Sequence, residues 1–252
     1  MPDPARQPPA RPDLSVIVPA YNEAERIGPT LAAIRDYAVS RQLRCELIVV
    51  DDGSGDGTAR IVREFQAGPL TMRLLVNRSN RGKGYSVRRG MLAAGGELLL
   101  MCDADQSAPI GEFDKLRPWL EQGYDVAIGS RDLPDAVRDP PQPWLRRLLA
   151  RAFRALRRRL LVPEVLDTQC GFKCFRREVA RAVFGRQSIN GWLFDCEVLA
   201  LAQQLGYRIR EVGIVWRHRG PTRVRLLPQA LTALPTLLII RRRLKRLGAP
   251  RS

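Results

Sequence analysis

What most constrains the fold is a series of short, nearly unbroken apolar runs, each separated from the next by a segment with helical periodicity. Leu14-Ser15-Val16-Ile17-Val18-Pro19 is β-branched and stopped by proline, the pattern of a buried strand. Asn22 can then cap a helix through Tyr37, with Ile27, Leu31 and Ile34 on one face. Glu46 to Asp52 is a second strand, and it ends in the turn Gly53-Ser54-Gly55-Asp56-Gly57. A helix from Thr58 to Phe65 follows, then a strand from Met72 to Val76 and a helix from about Lys83 to Ala94. Glu97 to Cys102 and Asp125 to Gly129 give two more strands. Strands without in-and-out alternation are covered on both faces, and strand alternates with helix. The expected class is α/β, a Rossmann-like and mostly parallel sheet with helices on both faces.

Such sheets bind ligands beyond the carboxyl ends of their strands. Asp51-Asp52, Asp103-Ala104-Asp105 and Ser130-Arg131 all fall there. Two common nucleotide loops are excluded. The glycines at 53, 55 and 57 do not make G-x-G-x-x-G and follow the second strand, and Gly82-Lys83-Gly84 lacks the spacing and Ser/Thr of a P-loop.

Asp103 and Asp105 stand two apart just after a buried strand, so an extended backbone aims both carboxylates the same way. Like charges side by side repel and raise each other's pKa unless a cation lies between them. Two carboxylates, offering oxygen ligands only, suit Mg²⁺ or Mn²⁺. An ion of this kind bridges phosphate oxygens and neutralises a leaving nucleoside diphosphate.

The charge is unevenly spread. Residues 1–140 hold 18 Lys/Arg against 20 Asp/Glu, a balance of −2, and residues 141–252 hold 24 against 6, a balance of +18. The second part therefore expects a polyanionic partner. Trp144 to Val162 reads as an amphipathic helix, with Leu145, Leu148, Leu149, Ala152, Phe153, Leu156 and Leu160 on one stripe and arginines mostly off it. That pattern fits a helix in the headgroup region of an anionic membrane. Leu226 to Ile240 is apolar but shorter than the ~20 residues of a span, so a second interfacial helix is expected there. Arg241-Arg242-Arg243-Leu244-Lys245-Arg246 follows as a membrane-edge anchor. No nucleic-acid partner is expected, because the basic helix has only Trp144 and Phe153 as aromatics and no stacking platform. The five cysteines, with His218 the one histidine, read as reduced thiols rather than a zinc site. Residues 1–12, with five prolines, read as a disordered tail rather than a signal peptide. A catalytic domain over 13–222 and a basic membrane-associating segment over 223–252 complete the expected organisation.

Pro19-Ala20-Tyr21-Asn22-Glu23, Val50-Asp51-Asp52-Gly53-Ser54, Asn80-Arg81-Gly82-Lys83-Gly84, Asp103-Ala104-Asp105 and Gly129-Ser130-Arg131 occur in one order. That order resembles the inverting family 2 glycosyltransferases of GT-A fold. Asp167-Thr168-Gln169-Cys170-Gly171-Phe172-Lys173 and Trp192-Leu193-Phe194-Asp195-Cys196-Glu197 narrow the likeness to the dolichyl-phosphate β-glucosyltransferase branch, with polyprenyl-phosphate mannosyltransferases as relatives. The resemblance runs from about residue 14 to 218. It implies that Pro19, Tyr21 and Glu23 line a nucleoside pocket and that Asp52 faces the base. Lys83 then lies near the donor, with Gln169 also on the donor side. Asp103 contacts the ribose–metal region and Asp105 is the direct metal ligand. Gln106 and Ser107 depart from the family pattern, where Leu or Gly often follows the triplet, which leaves the metal pair intact but unsettles sugar contacts there.

The reaction so implied moves a hexose, glucose from UDP-glucose or mannose from GDP-mannose, to a polyprenyl (dolichyl) phosphate. The enzyme would sit peripherally on the cytoplasmic face of a membrane. A lipid monophosphate, with a second pKa near ~6, is largely a dianion at neutral pH and needs positive charge to hold it more than a general base. Arg131, Arg146 or Arg147, and His218 or Arg219 are the candidates for that charge. Asp195 is the alternative base or sugar-hydroxyl ligand. Asp195 and Glu197 interrupt the apolar stretch Trp192 to Leu201, and buried carboxylates need partners.

Overall fold

The computed structural model describes residues 11–139, 153–217 and 226–248. Its strands are β1 (Leu14–Ala20), β2 (Cys45–Asp51), β3 (Thr71–Val76), β4 (Leu98–Cys102), β5 (Val126–Ser130), β6 (Val137–Asp139), β7 (Phe172–Arg176), β8 (Ile209–Gly213) and β9 (Val215–Arg217). The helices are α1 (Ala24–Ser40), α2 (Thr58–Glu64), α3 (Lys83–Ala93), α4 (Phe113–Glu121), α5 (153–160), α6 (Arg177–Arg186), α7 (Phe194–Gln204) and α8 (Leu226–Leu247). Seven strands form one sheet in the order β3-β2-β1-β4-β7-β5-β8, while β6 and β9 pair as a separate two-stranded ribbon.

All seven residues of β2 are buried, as its unbroken apolar run requires. Alternate residues of the central strands feed two cores. Val16, Val18, Leu47, Val49 and Leu100 pack with α1 and α4, whereas Ile17, Ile48, Val50, Leu99 and Met101 pack with α3, α6 and α7. The chain runs outward from β1 through β2 to β3, then crosses back to place β4 on the other side of β1. The carboxyl ends of β1 and β4 therefore meet at the reversal of strand order, where such sheets open a crevice.

The sheet is parallel except for β7, which runs antiparallel to both β4 and β5. This strand was not expected. Lys173 and Arg176 interrupt its apolar pattern, yet Phe172, Lys173, Cys174 and Phe175 are all buried.

The C-terminal elements depart from the sequence expectation in two ways. In α5, Phe153, Leu156 and Leu160 pack against Cys196 of α7 and Leu237 and Ile240 of α8, so this stripe faces protein. Arg154 is bound to Asp132 at 2.8 Å, and the buried Arg157 donates to the carbonyls of Val165 and Leu166. Those two arginines hold the fold together rather than forming a solvated basic face. The rest of the expected 144–162 helix up to residue 152, with Arg146 and Arg147, lies outside the described residues, as do His218, Arg219 and residues 1–10 of the expected tail.

Second, α8 does not stop at Ile240 but continues through the basic run to Leu247. Its inner stripe, Ala233, Leu237, Ile240 and Leu244, keeps helical spacing beyond the expected end and docks on the body of the protein. Leu234, Leu238 and Ile239 are exposed on its outer side, next to the exposed Arg241, Arg242, Lys245 and Arg246. No helix among the described residues is long and apolar enough to cross a membrane.

Candidate active site

Beyond Cys102 the chain does not stay extended. It turns at Ala104 and Asp105, and Gln106 adopts a left-handed φ of 53°. The two carboxylates are therefore placed by a turn and not by strand alternation. Asp103 follows Cys102 on the α3 side of the sheet, where the Lys83 ammonium binds its Oδ1 at 2.6 Å. Asp105 accepts the Ser107 amide through Oδ1 at 2.8 Å. Gln106 points away from the pair and donates to the Pro29 carbonyl at 2.6 Å. Its departure from the family pattern is thus used in packing against α1.

Gly171, at the start of β7, presses its backbone on Asp103. A Cβ there would sit 1.8 Å from Oδ2, so only glycine leaves room for this carboxylate. Nothing in the sequence signals this contact, because β7 itself is hidden by its charges. Burial pulls the Lys83 ammonium down, but Asp103, Asp195 and Asp105 outweigh it and its pKa is raised. Lys83 stays charged and also lies 4.9 Å from the Trp192 ring centroid.

Asp52, expected to face a base, is committed to the backbone that carries Lys83. Asn77 Nδ2 and the Arg81 amide donate to its Oδ1, at 2.6 and 2.9 Å, and the Gly82 amide donates to Oδ2 at 2.8 Å. The glycines on either side of Lys83 have a different reason from the anion approach that a lysine between glycines suggests. A Cβ at Gly82 would meet the Asn190 carbonyl at 2.5 Å, and one at Gly84 would meet the Ile189 carbonyl at 2.6 Å. The 189–191 backbone lies directly against the start of α3, and the Tyr85 amide donates to Asn190 O at 3.2 Å.

At the end of β1, Pro19 is half-buried and Tyr21 exposed, on the rim next to the Asp52 turn. Glu23 accepts a two-pronged bond from Arg26, 2.6 Å to Nε and 2.8 Å to Nη2, so its carboxylate already has a cation. Asn22 does not cap α1. It takes φ 54° and accepts the Gly55 amide, while Asp56 Oδ2 accepts the first helical amide, that of Ala24, at 3.0 Å. The cap thus comes from the loop after β2, which ties the ends of β1 and β2 together.

Arg131 is not the free cation expected for an acceptor phosphate. It grips Asp167 with Nε and Nη2 at 2.7 and 2.9 Å, and its backbone amide donates to the same carboxylate. Burial alone would raise the Asp167 pKa, but the Arg131 charge and hydrogen bonds hold it well below the usual range. Asp195 pairs with Lys173 at 2.5 Å, both fully buried. Burial raises the Asp195 pKa, with Lys173 and Lys83 pulling against it. Gln169 donates its amide to Cys196 Sγ at 3.6 Å. All five cysteines are free and buried, and burial pushes Cys170 up to about 12, so none is poised as a thiolate.

The donor set suits a hard divalent cation. Asp103 and Asp105 offer oxygen only, and no group of three or more His, Cys, Asp or Glu among the described residues closes a cage. An ion held by one or two carboxylates and completed by phosphate and water is the habit of Mg²⁺ and its relatives.

Residues 15–184 match Glycosyl transferase family 2. The chain is 36% identical over 220 residues to a dolichyl-phosphate beta-glucosyltransferase of Trichomonas vaginalis, covering 83% of this chain and 65% of the relative. It is 37% identical over 215 residues to one from Dictyostelium discoideum, covering 81% and 66%. The human dolichyl-phosphate beta-glucosyltransferase is 36% identical over 217 residues, covering 81% and 67%. The chain thus spans about two thirds of the length of these relatives. Glucosyl-3-phosphoglycerate synthase from Mycobacterium tuberculosis in complex with UDP has a similar fold, with a TM-score of 0.67 at 24% identity, covering 96% of this chain and 82% of that one. The same enzyme with Mn²⁺, UDP-glucose and glycerol 3-phosphate also gives 0.67, at 23% identity over 96% and 82%.

Proposed function

The chain belongs to glycosyltransferase family 2, and on that footing we propose that it moves glucose from UDP-glucose to a polyprenyl phosphate of the dolichyl type, with inversion at the anomeric carbon. The observation that carries this reading is the carboxylate pair at the end of β4, with Asp103 seated on Gly171 and bound by the Lys83 ammonium. The acceptor is inferred from the names of the relatives, which are dolichyl-phosphate glucosyltransferases over most of this chain.

Asp103 and Asp105 would hold Mg²⁺ or Mn²⁺, and that ion supplies Lewis-acid neutralisation of the departing diphosphate. Lys83 would transfer its contact from Asp103 to a donor phosphate, which places one protein cation on the same leaving group. Pro19 and Tyr21 at the end of β1 would flank the nucleoside, with Glu23 and Asp52 fixing the backbone that shapes this pocket. Asp195 would lie on the sugar side of the site, with Gln169, bonded to Cys196, on the donor side near it. A lipid phosphate dianion attacks without a base, so Asp195 orients a sugar hydroxyl and need not leave Lys173. With Arg131 neutralised by Asp167, the acceptor phosphate falls to Arg146, Arg147, His218 and Arg219. The exposed apolar and basic side of α8 would meet an anionic headgroup layer, with the enzyme peripheral on the cytoplasmic face.

The test is a panel of UDP- and GDP-sugars, each with a polyprenyl phosphate and Mg²⁺, Mn²⁺ or chelator. A glucosyl lipid from UDP-glucose, lost on chelation, is the expected product. A mannosyl lipid from GDP-mannose would reassign the donor, and turnover only with a soluble sugar acceptor would remove the lipid.

A further inference from the structure

Glu197 lies on the first turn of α7, is 2% exposed, and takes no part in the chemistry described above. Its carboxylate is nevertheless heavily engaged. Oε2 accepts the amides of Ser188 and Ile189 at 2.9 and 2.7 Å, and Oε1 accepts the Ser188 hydroxyl at 2.6 Å. Oε1 also binds Arg243 of α8 at 2.7 Å, and the other prong of that guanidinium donates to the Arg186 carbonyl at the end of α6. The backbone so held is the one against Gly82 and Gly84: Gln187 Nε2 donates to the Gly84 carbonyl at 2.9 Å, and the Asn190 carbonyl accepts the Tyr85 amide. Lys83 stands between those glycines with its ammonium on Asp103, and Trp192 beside it belongs to the same loop.

We propose that Glu197 is a positioning residue through which the C-terminal helix sets the donor-side lysine. Arg243 fixes Glu197, Glu197 fixes the 188–190 backbone, and that backbone fixes Gly82-Lys83-Gly84. Every link is a charged hydrogen bond or a backbone contact too close for a Cβ, so displacement at one end reaches the other. The helix that carries the exposed Leu234, Leu238 and Ile239 is thereby wired to nucleotide binding. This rests on the reading of Lys83 as a donor contact, and it adds that the occupancy of α8 on the protein body controls that contact.

Arg243 is more than a third exposed, so Arg243→Gln cuts the link at its outer end without opening the core. In the full chain, hydrogen exchange at the Ser188, Ile189 and Tyr85 amides should quicken while Val16 and Val49 in the sheet keep their rates. Binding of UDP with Mn²⁺, read by calorimetry, should weaken about threefold to tenfold, and Arg243→Lys should recover part of both effects. Unchanged exchange at 188, 189 and 85 overturns the proposal, and so does faster exchange with undiminished nucleotide affinity. A rise shared equally by Val16 and Val49 also overturns it, since that reports global loosening. Should the unaltered chain bind neither UDP nor GDP, the donor reading falls, and with it the positioning role, while the exchange rates still show whether α8 and the loop are coupled.

Discussion

Asp103 has an ammonium on one oxygen and a glycine backbone against the other. Asp105 has one oxygen on its own turn. Asp105→Asn keeps the turn acceptor and removes the charge, and should lower Mn²⁺-supported turnover by about 10²–10³, measured with saturating donor. Lys83→Met should raise the KM for donor and at the same time tighten Mn²⁺ binding in the absence of nucleotide, because it removes the cation that competes for Asp103. Weaker or unchanged Mn²⁺ binding by titration would sink that competition. The carboxylate pair was legible because acids after a buried strand stand out. Gly171 and Lys173 were not, since each matters only through a partner far along the chain, whereas Glu197 stood out as a buried carboxylate in need of partners but did not reveal which ones. Arg131 shows the same limit from the other side: its place after a strand end is visible, but the neutralising Asp167 lies 36 residues on. Removing one partner of a buried pair costs about 3–5 kcal/mol, so Arg131→Met should unfold at markedly lower urea. The folded pKa of Asp167 is depressed, so its stabilisation is present above the ordinary carboxylate pKa and lost as pH falls below it. The stability gap between wild type and Arg131→Met should therefore be level above about pH 5 and shrink as pH falls below about 4.

At the level of elements, the legible ones were those whose burial is written as an unbroken apolar run. β1, β2, β4 and β5 fall within a residue or two of their expected limits. β7 and β8 were hidden by charges, Lys173 and Arg176 in one and Arg210 and Glu211 in the other. Each charge has an answer in the folded chain: Lys173 meets Asp195, Arg176 donates to the carbonyls of Tyr124 and Leu120, Arg210 lies 3.8 Å from the Trp119 ring centroid, and Glu211 accepts the amides of Leu166 and Asp167. The arginines of α5 misled for the same reason, because periodicity cannot tell a guanidinium in water from one closing a loop. The junction of α3 with the 189–191 backbone gives a direct test. Gly82 has φ 100° and no room for a Cβ, so Gly82→Ala should cost on the order of 1–3 kcal/mol in urea unfolding and weaken donor binding. A fully stable Gly82→Ala with normal donor affinity would mean that the junction gives way easily.

For the whole molecule, the charge asymmetry read from the sequence has a partial structural account. Arg154, Arg157 and Arg243 are consumed internally, whereas Arg241, Arg242, Lys245 and Arg246 remain exposed beside apolar side chains of α8. A basic residue near an anionic bilayer contributes about 1 kcal/mol. Replacing Arg241, Arg242 and Lys245 with Gln should therefore abolish sedimentation with anionic vesicles at moderate salt and leave the soluble folded fraction unchanged. Equal sedimentation of the triple variant would move the membrane contact elsewhere on the molecule.

The reversed strand also bears on how the chain is assembled. β3, β2, β1 and β4 come from the first 102 residues and can pair as soon as that length has left the ribosome. β7 joins β4 only after some seventy more residues, because Leu98 pairs with Arg176 and Cys102 with Phe172. The support for Asp103 thus arrives late, through a contact of high sequence separation that is slow to form. During synthesis the four strands β3, β2, β1 and β4 can therefore be paired before Asp103 has its Gly171 backing. A nascent chain that has not yet made β7 lacks the Gly171 backbone that presses on Asp103.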